Sequence, residues 1–168
     1  MTHPLRLLQA LTVFVAGLFG LFVFLGNLMD YDSNYQFVKH VLSMDTTFEG
    51  NALMWRAITE PWVWTVGYIG IIVAEGVFAA LALYGGIVLF LRRRNTAAFN
   101  KARSWGFAAY GLALLIWFVG FIVVGSEWFA MWQSSSWNGK DTAMPLAILF
   151  AVFAVLLAQN ESAEERSA

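Results

Sequence analysis

One acidic residue stands inside an otherwise apolar run: Glu75, in Ile71-Ile72-Val73-Ala74-Glu75-Gly76-Val77-Phe78. A carboxyl group at the centre of a membrane helix costs on the order of 3 kcal/mol by insertion scales, so it faces protein or water rather than lipid. No Lys, Arg or His lies in the middle of another apolar run to pair with it. Trp117, expected at similar depth in an antiparallel neighbour, offers an indole N–H donor. Tyr68 lies seven residues earlier on the same helical face. The trio reads in two ways. It is a relay or ligand contact for a proton or cation, or an interhelical hydrogen bond that holds a bundle together.

A second set of residues is acidic and falls between the apolar runs. Asp30, Asp32, Asp45, Glu49, Glu60, Glu127 and Asp141 outnumber Lys39, Arg56 and Lys140 there. Asp30-x-Asp32-x-Asn34 opens like a calcium loop, but Tyr35 replaces the required Gly and Val41 the bidentate Glu. That excludes an EF-hand. A looser cation or partner site built from His40, Asp45 and Glu127, flanked by Trp128 and Trp132, stays open, with its metal unspecified. Haem of the usual b type needs two axial ligands. The only histidines, His3 and His40, fall on opposite sides of the first apolar run and cannot share one. Ser43, His40 and Asp45 stand too close in sequence to converge as a triad. P-loop, dinucleotide, zinc-protease and nucleophile-elbow patterns are missing, as is any Cys. No cofactor is expected, and an enzyme or redox subunit is the least favoured reading.

What must position these residues is set by composition. Of 168 residues, 60% are apolar and 12% charged, against roughly 45–50% and about 25% in soluble domains. The ten Lys and Arg nearly cancel the eleven Asp and Glu, so no strong field recruits nucleic acid. The apolar residues collect in four continuous runs, near 5–27, 62–91, 104–126 and 143–159. Helices of about 20 such residues cross a hydrocarbon core about 30 Å thick, whereas barrel strands would alternate. The first run is too long for a signal peptide and lacks its cleavage pattern. The expected fold is an all-α integral membrane protein of one domain, a four-helix transmembrane bundle.

Basic residues orient it. With an inner N-terminus, the inner side carries Arg6, Arg92, Arg93, Arg94, Lys101, Arg103 and Arg166. Five of these fall in the short connection 92–103, where the positive-inside bias is strongest. Both termini are then cytoplasmic, and Arg92, Arg93, Arg94, Lys101 and Arg103 can also meet anionic lipid headgroups. Trp55, Trp62, Trp64, Trp128, Trp132 and Trp137 all fall at or beyond outer ends, where indoles favour the interface.

The outer connections, 28–61 and 127–142, are expected to fold. Tyr35, Phe37, Val38, Val41 and Leu42 recur at spacings near 3.6, which predicts a short amphipathic helix capped by Ser33 or Asn34. A second short helix is expected over 52–59, before Pro61. Between the turn-forming Ser134-Ser135-Ser136 and Asn138-Gly139, the aromatics need cover. Two outcomes stay open: an extracytoplasmic cap over the bundle, or helices lying in the headgroups.

The runs Asn27-Leu28-Met29-Asp30-Tyr31-Asp32-Ser33-Asn34, Phe37-Val38-Lys39-His40-Val41-Leu42-Ser43-Met44-Asp45-Thr46 and Met54-Trp55-Arg56-Ala57-Ile58-Thr59 carry a resemblance. So do Gly125-Ser126-Glu127-Trp128-Phe129-Ala130-Met131-Trp132-Gln133-Ser134 and Trp137-Asn138-Gly139. Together they resemble the predicted small bacterial integral membrane proteins of domain of unknown function 2165, over nearly the whole chain. The resemblance implies a bacterial inner-membrane protein with four spans and supplies no activity.

Small residues complete the reading. Ala16-x-x-x-Gly20, Gly70-x-x-x-Ala74 and Gly76-x-x-x-Ala80 permit close helix approach, and the fourth run has no polar side chain in its middle. The expected role is a non-catalytic membrane module, either a homo-oligomer or an accessory subunit of a complex. A small oligomeric channel or transporter using Glu75 is the rival.

Overall fold

The computed structural model describes residues 4–160, so His3 and Arg166 lie outside the described residues. Those residues are helical with no strand among them. A lipid-like setting explains this, because a helix satisfies its own backbone where no water can. In chain order the elements are α1 (Pro4–Met29), α2 (Tyr31–Ser43), α3 (Pro61–Arg92), α4 (Thr96–Leu114) and α5 (Lys140–Ala158). Single helical turns at Met54–Arg56 and Met131–Gln133 interrupt the two long connections. Beyond Leu114, α4 continues unbroken as a wider helix over Leu115–Trp128. The Phe129 N–H closes it on the Val124 carbonyl, five residues back, at 3.0 Å. Such i→i+5 winding is rare and usually limited to one turn. Among the described residues four helices are long and apolar enough to cross a membrane: Pro4–Met29, Pro61–Arg92, Thr96–Trp128 and Lys140–Ala158.

Several boundaries move from their expected places. The connection expected over 92–103 contracts to residues 93–95, because the Asn95 Oδ1 accepts the Ala98 N–H at 3.0 Å and caps α4 early. Lys101 and Arg103 therefore stand on a helix. α2 begins at Tyr31, directly after Asp30, so Ser33 and Asn34 lie inside it rather than capping it. The helix expected over 52–59 is reduced to Met54–Arg56. Pro61 opens α3, where its missing N–H breaks no bond.

At the basic end the helices meet closely, beside a cavity of about 420 Å³ lined by residues that include Leu7, Phe14, Gly86 and Phe90. α1 and α3 run antiparallel so closely that a Cβ added at Gly17 would lie 2.5 Å from the Leu83 nitrogen. At Gly86 it would lie 2.6 Å from Phe14, and at Gly106 2.6 Å from Leu157. Gln9 is fully buried, and its amide donates to the Leu156, Leu157 and Gln159 carbonyls at 2.8, 3.3 and 3.0 Å. α5 thereby gains a cap for carbonyls its own turns leave open. Arg103 adds hydrogen bonds to the Gln159 carbonyl and, at 2.9 Å, to Asn160. Arg6 is buried too, donating to the Arg93 carbonyl and the Thr96 hydroxyl, each at 2.9 Å.

Above this lies an aromatic layer with one ring from each long helix: Phe19, Phe78, Trp117 and Phe150. Trp117 sits 5.5 Å from Phe19, 5.5 Å from Phe78 and 5.2 Å from Phe150 between ring centroids. These are distances at which tilted and edge-on rings attract.

At the other end, α2 and the two long connections fold over the bundle as a cap. Val41, Met44, Phe129, Ala130 and Met131 form its own buried core. Met44 and Ala130, both in the left-handed region (φ 54° and 51°), turn the chain at the ends of α2 and the wide helix. The Ser134 hydroxyl accepts from Thr46 at 2.8 Å and from the Trp137 N–H at 2.9 Å. The Gln133 side-chain oxygen accepts from the Phe48 N–H and the Asn51 amide at 3.2 and 3.1 Å. Arg56 lies over Trp128 at 4.5 Å and Trp55 at 5.2 Å while donating to the Trp128 carbonyl. The two connections are one folded unit.

Candidate functional site

Glu75 is 3% exposed. Its Oε2 accepts a 2.6 Å hydrogen bond from the Asn27 amide near the end of α1. Tyr68, 1% exposed, donates its hydroxyl to the Asn27 carbonyl at 2.9 Å and approaches the Asn27 Oδ1 at 3.3 Å. Tyr68 thus orients the amide so that its N–H faces Glu75. No Lys, Arg or His pairs with Glu75 among the described residues, and its Oε1 accepts no hydrogen bond there.

This geometry corrects two expectations. The indole of Trp117 does not donate to Glu75; Asn27 does. The helix register explains the change. With Gly20 against Phe78 and Gly76 against Phe24, the residue of α1 that arrives at Glu75 is Asn27, while Trp117 is held in the aromatic layer. Asn27 was legible only as a polar residue marking the end of a span.

The second correction concerns depth. Glu75 is central in α3 by residue count but not in the bundle. Arg6 marks the basic end, and at 1.5 Å per residue Asn27 lies about 32 Å farther along α1. That is about one hydrocarbon thickness. Glu75 therefore lies level with the end of α1, and α3 overshoots α1. The residues of α3 from Pro61 onward continue about 21 Å past it, packing on α2, where Gly67 faces Leu42 and Val38.

Asn27, Tyr68, Glu75, Trp117, Asn34 and Thr142 line part of a cavity of about 650 Å³, together with apolar side chains that include Phe37, Val38, Ile71 and Phe121. The aromatic layer closes it toward the basic end. Phe78, Phe150 and Trp117 are 0%, 1% and 5% exposed.

Those four apolar residues also line a second cavity, of about 370 Å³, between α2, α3 and the wide helix. Its walls are almost wholly apolar and include Gly67, Gly70, Ala74, Ile116, Gly120 and Gly125. A Cβ added at Gly70 would meet nothing within 4 Å. The Gly70-x-x-x-Ala74 pair, expected to bring helices together, instead lines open space. The widening at Leu115–Trp128 contributes the opposite wall.

The other candidate residues separate. His40 Nδ1 pairs with Asp45 at 2.8 Å and its ring stacks on Trp137 with centroids 4.8 Å apart. Glu127 is exposed, its one hydrogen bond coming from Ser126 at 3.5 Å. The three do not converge, and among the described residues no group of three or more His, Cys, Asp or Glu could hold a metal ion. Trp128 is taken up by Arg56, and Trp132 meets Phe48 edge-on at 5.7 Å. Of the basic set, Arg92, Arg94 and Lys101 are exposed at the basic end. Arg93 folds over Phe90 at 4.0 Å and Arg103 fastens α5.

A family model described as a predicted small integral membrane protein (DUF2165) matches residues 5–160. No curated protein and no solved structure matches the chain.

Proposed function

The chain belongs to the DUF2165 family of predicted small integral membrane proteins, and from that premise we propose that it works as a non-catalytic binding module of the bacterial inner membrane. It acts as a homo-oligomer or as an accessory subunit of a membrane complex, with both termini cytoplasmic and the cap outside. The observation that carries this reading is the chamber that Glu75 lines, above a buried layer in which every long helix contributes a ring. A cavity backed by packed rings suits holding a ligand. Conduction needs a path past that layer, and binding sites weak enough to leave.

The orientation rests on Arg92, Arg94 and Lys101, exposed together at one end as the positive-inside bias requires of a cytoplasmic face. The same three residues suit anionic headgroups. Glu75 also motivates the rival, an oligomeric channel.

Proteoliposomes decide between them. No proton or cation flux is expected from wild type or Glu75→Gln, and flux that depends on the carboxylate overturns the binding reading. The mass of the detergent-solubilised particle should exceed that of one chain. A strict monomer with nothing bound argues against the oligomer or subunit role.

A further inference from the structure

The chamber and the apolar groove share Phe37, Val38, Ile71 and Phe121 as a common wall. A compartment that holds Glu75 and Asn27 among apolar side chains therefore adjoins one that is almost wholly apolar. Resting on the binding reading above, we propose that the pair of cavities holds a single-chain amphiphile with a primary ammonium head, its head at Glu75 and its chain in the groove.

The hydrogen bonds around Glu75 select the head. One Asn27 N–H is spent on Glu75 and the Tyr68 hydroxyl on Asn27. The buried carboxyl keeps its Oε1 as an acceptor that no described residue engages, with no cation beside it among the described residues. An ammonium supplies three donors and no acceptor. It also provides the opposite charge that the buried carboxyl lacks, in a site where charge-assisted hydrogen bonds are strong. A carboxylate or phosphate head would set acceptor against acceptor. A quaternary head has no N–H to give.

The groove selects the chain. Its lining is apolar, Gly67, Gly70 and Ala74 keep one wall low, and Gly70 is itself exposed. It is a single groove beside the chamber, so it accommodates one chain. Because lipid tails are already in an apolar medium, the groove adds shape rather than hydrophobic driving force. The head carries selectivity and the chain carries fit.

The test uses the full chain in phosphatidylcholine nanodiscs, whose quaternary heads lack donors. Dodecylamine, dodecanol and butylamine are titrated, and binding is read from Trp117 emission as the difference from Trp117→Phe. Dodecylamine should bind wild type at least tenfold more tightly than dodecanol. Glu75→Gln, which keeps the side chain's shape, should erase that preference. Gly70→Leu should weaken dodecylamine about tenfold and leave butylamine unchanged. Equal affinities of amine and alcohol, or an unaltered preference in Glu75→Gln, overturn the ammonium assignment. Equal loss of butylamine and dodecylamine in Gly70→Leu overturns the groove. Failure of the amines while proteoliposomes show no flux removes this ligand and leaves the binding reading standing. Flux removes both.

Discussion

The two ends of the bundle use glycine for opposite purposes. Near the basic end, Gly17 and Gly86 let backbones touch, and any side chain there would run into Leu83 or Phe14. Near the cap, Gly70 faces space, and a side chain there would meet nothing within 4 Å, while Gly67 has room for a Cβ in ordinary contact with Leu42 and Val38. The residue type is the same; the neighbouring helix differs. α1 has ended before it could cover the outer part of α3, and α4 has widened away from it. Small-residue spacing alone thus does not determine packing. A tight half holds the fold, and a loose half leaves room for a ligand.

That contrast can be broken by substitution. Gly86→Leu should be the most damaging change, because its Cβ would lie 2.6 to 2.7 Å from Phe14 backbone and side-chain atoms. Overpacking of this kind costs about 3 kcal/mol, read as a large fall in Tm in detergent. A small shift would show that the tight half can open.

Ser134→Ala comes next, with a loss of about 2 kcal/mol from stranding the buried groups it accepts from. Hydrogen exchange should quicken at Trp137 and through the cap while α1 and α5 stay protected. Acceleration throughout the bundle would instead show that cap and helices unfold together.

Asn27→Ala removes the partner of Glu75 and Tyr68. Hydrogen bonds between membrane helices are worth about 1 kcal/mol or less, so Tm should fall only slightly. A collapse comparable to Gly86→Leu would make this pair a main support of the bundle.

The smallest effect is expected from Gly70→Leu, within about 0.5 kcal/mol of wild type, as for a residue entering open space. A marked loss of Tm would mean that the groove is closed in the folded protein.

Much of the frame was legible from the residues. Four apolar runs mark four helices, because a long run can satisfy its backbone in lipid only that way. The aromatics between Glu127 and Asp141 signal burial, and the cap buries Phe129 and half-buries Trp137 while Trp128 and Trp132 stay exposed. The site was less legible. Glu75 stands out by type, but its depth depends on how far α3 overshoots α1, which no local pattern records. Its partner depends on antiparallel register, set by glycine contacts such as Gly20 on Phe78 that are remote in the chain. Asn95 hides the start of α4 among polar residues. The widening after Leu114 has no signature, since Leu115 to Val124 is as apolar as an ordinary span.

Gln9 carries a consequence for how the protein is made. Its amide partners are carbonyls 147 to 150 residues downstream. During synthesis, α1 enters the bilayer with that amide turned toward oil, and it stays so until residues 156–159 have emerged from the ribosome. Docking of the last helix is the event that hides it, so a half-made copy differs from a finished one by a polar group that cellular surveillance can meet.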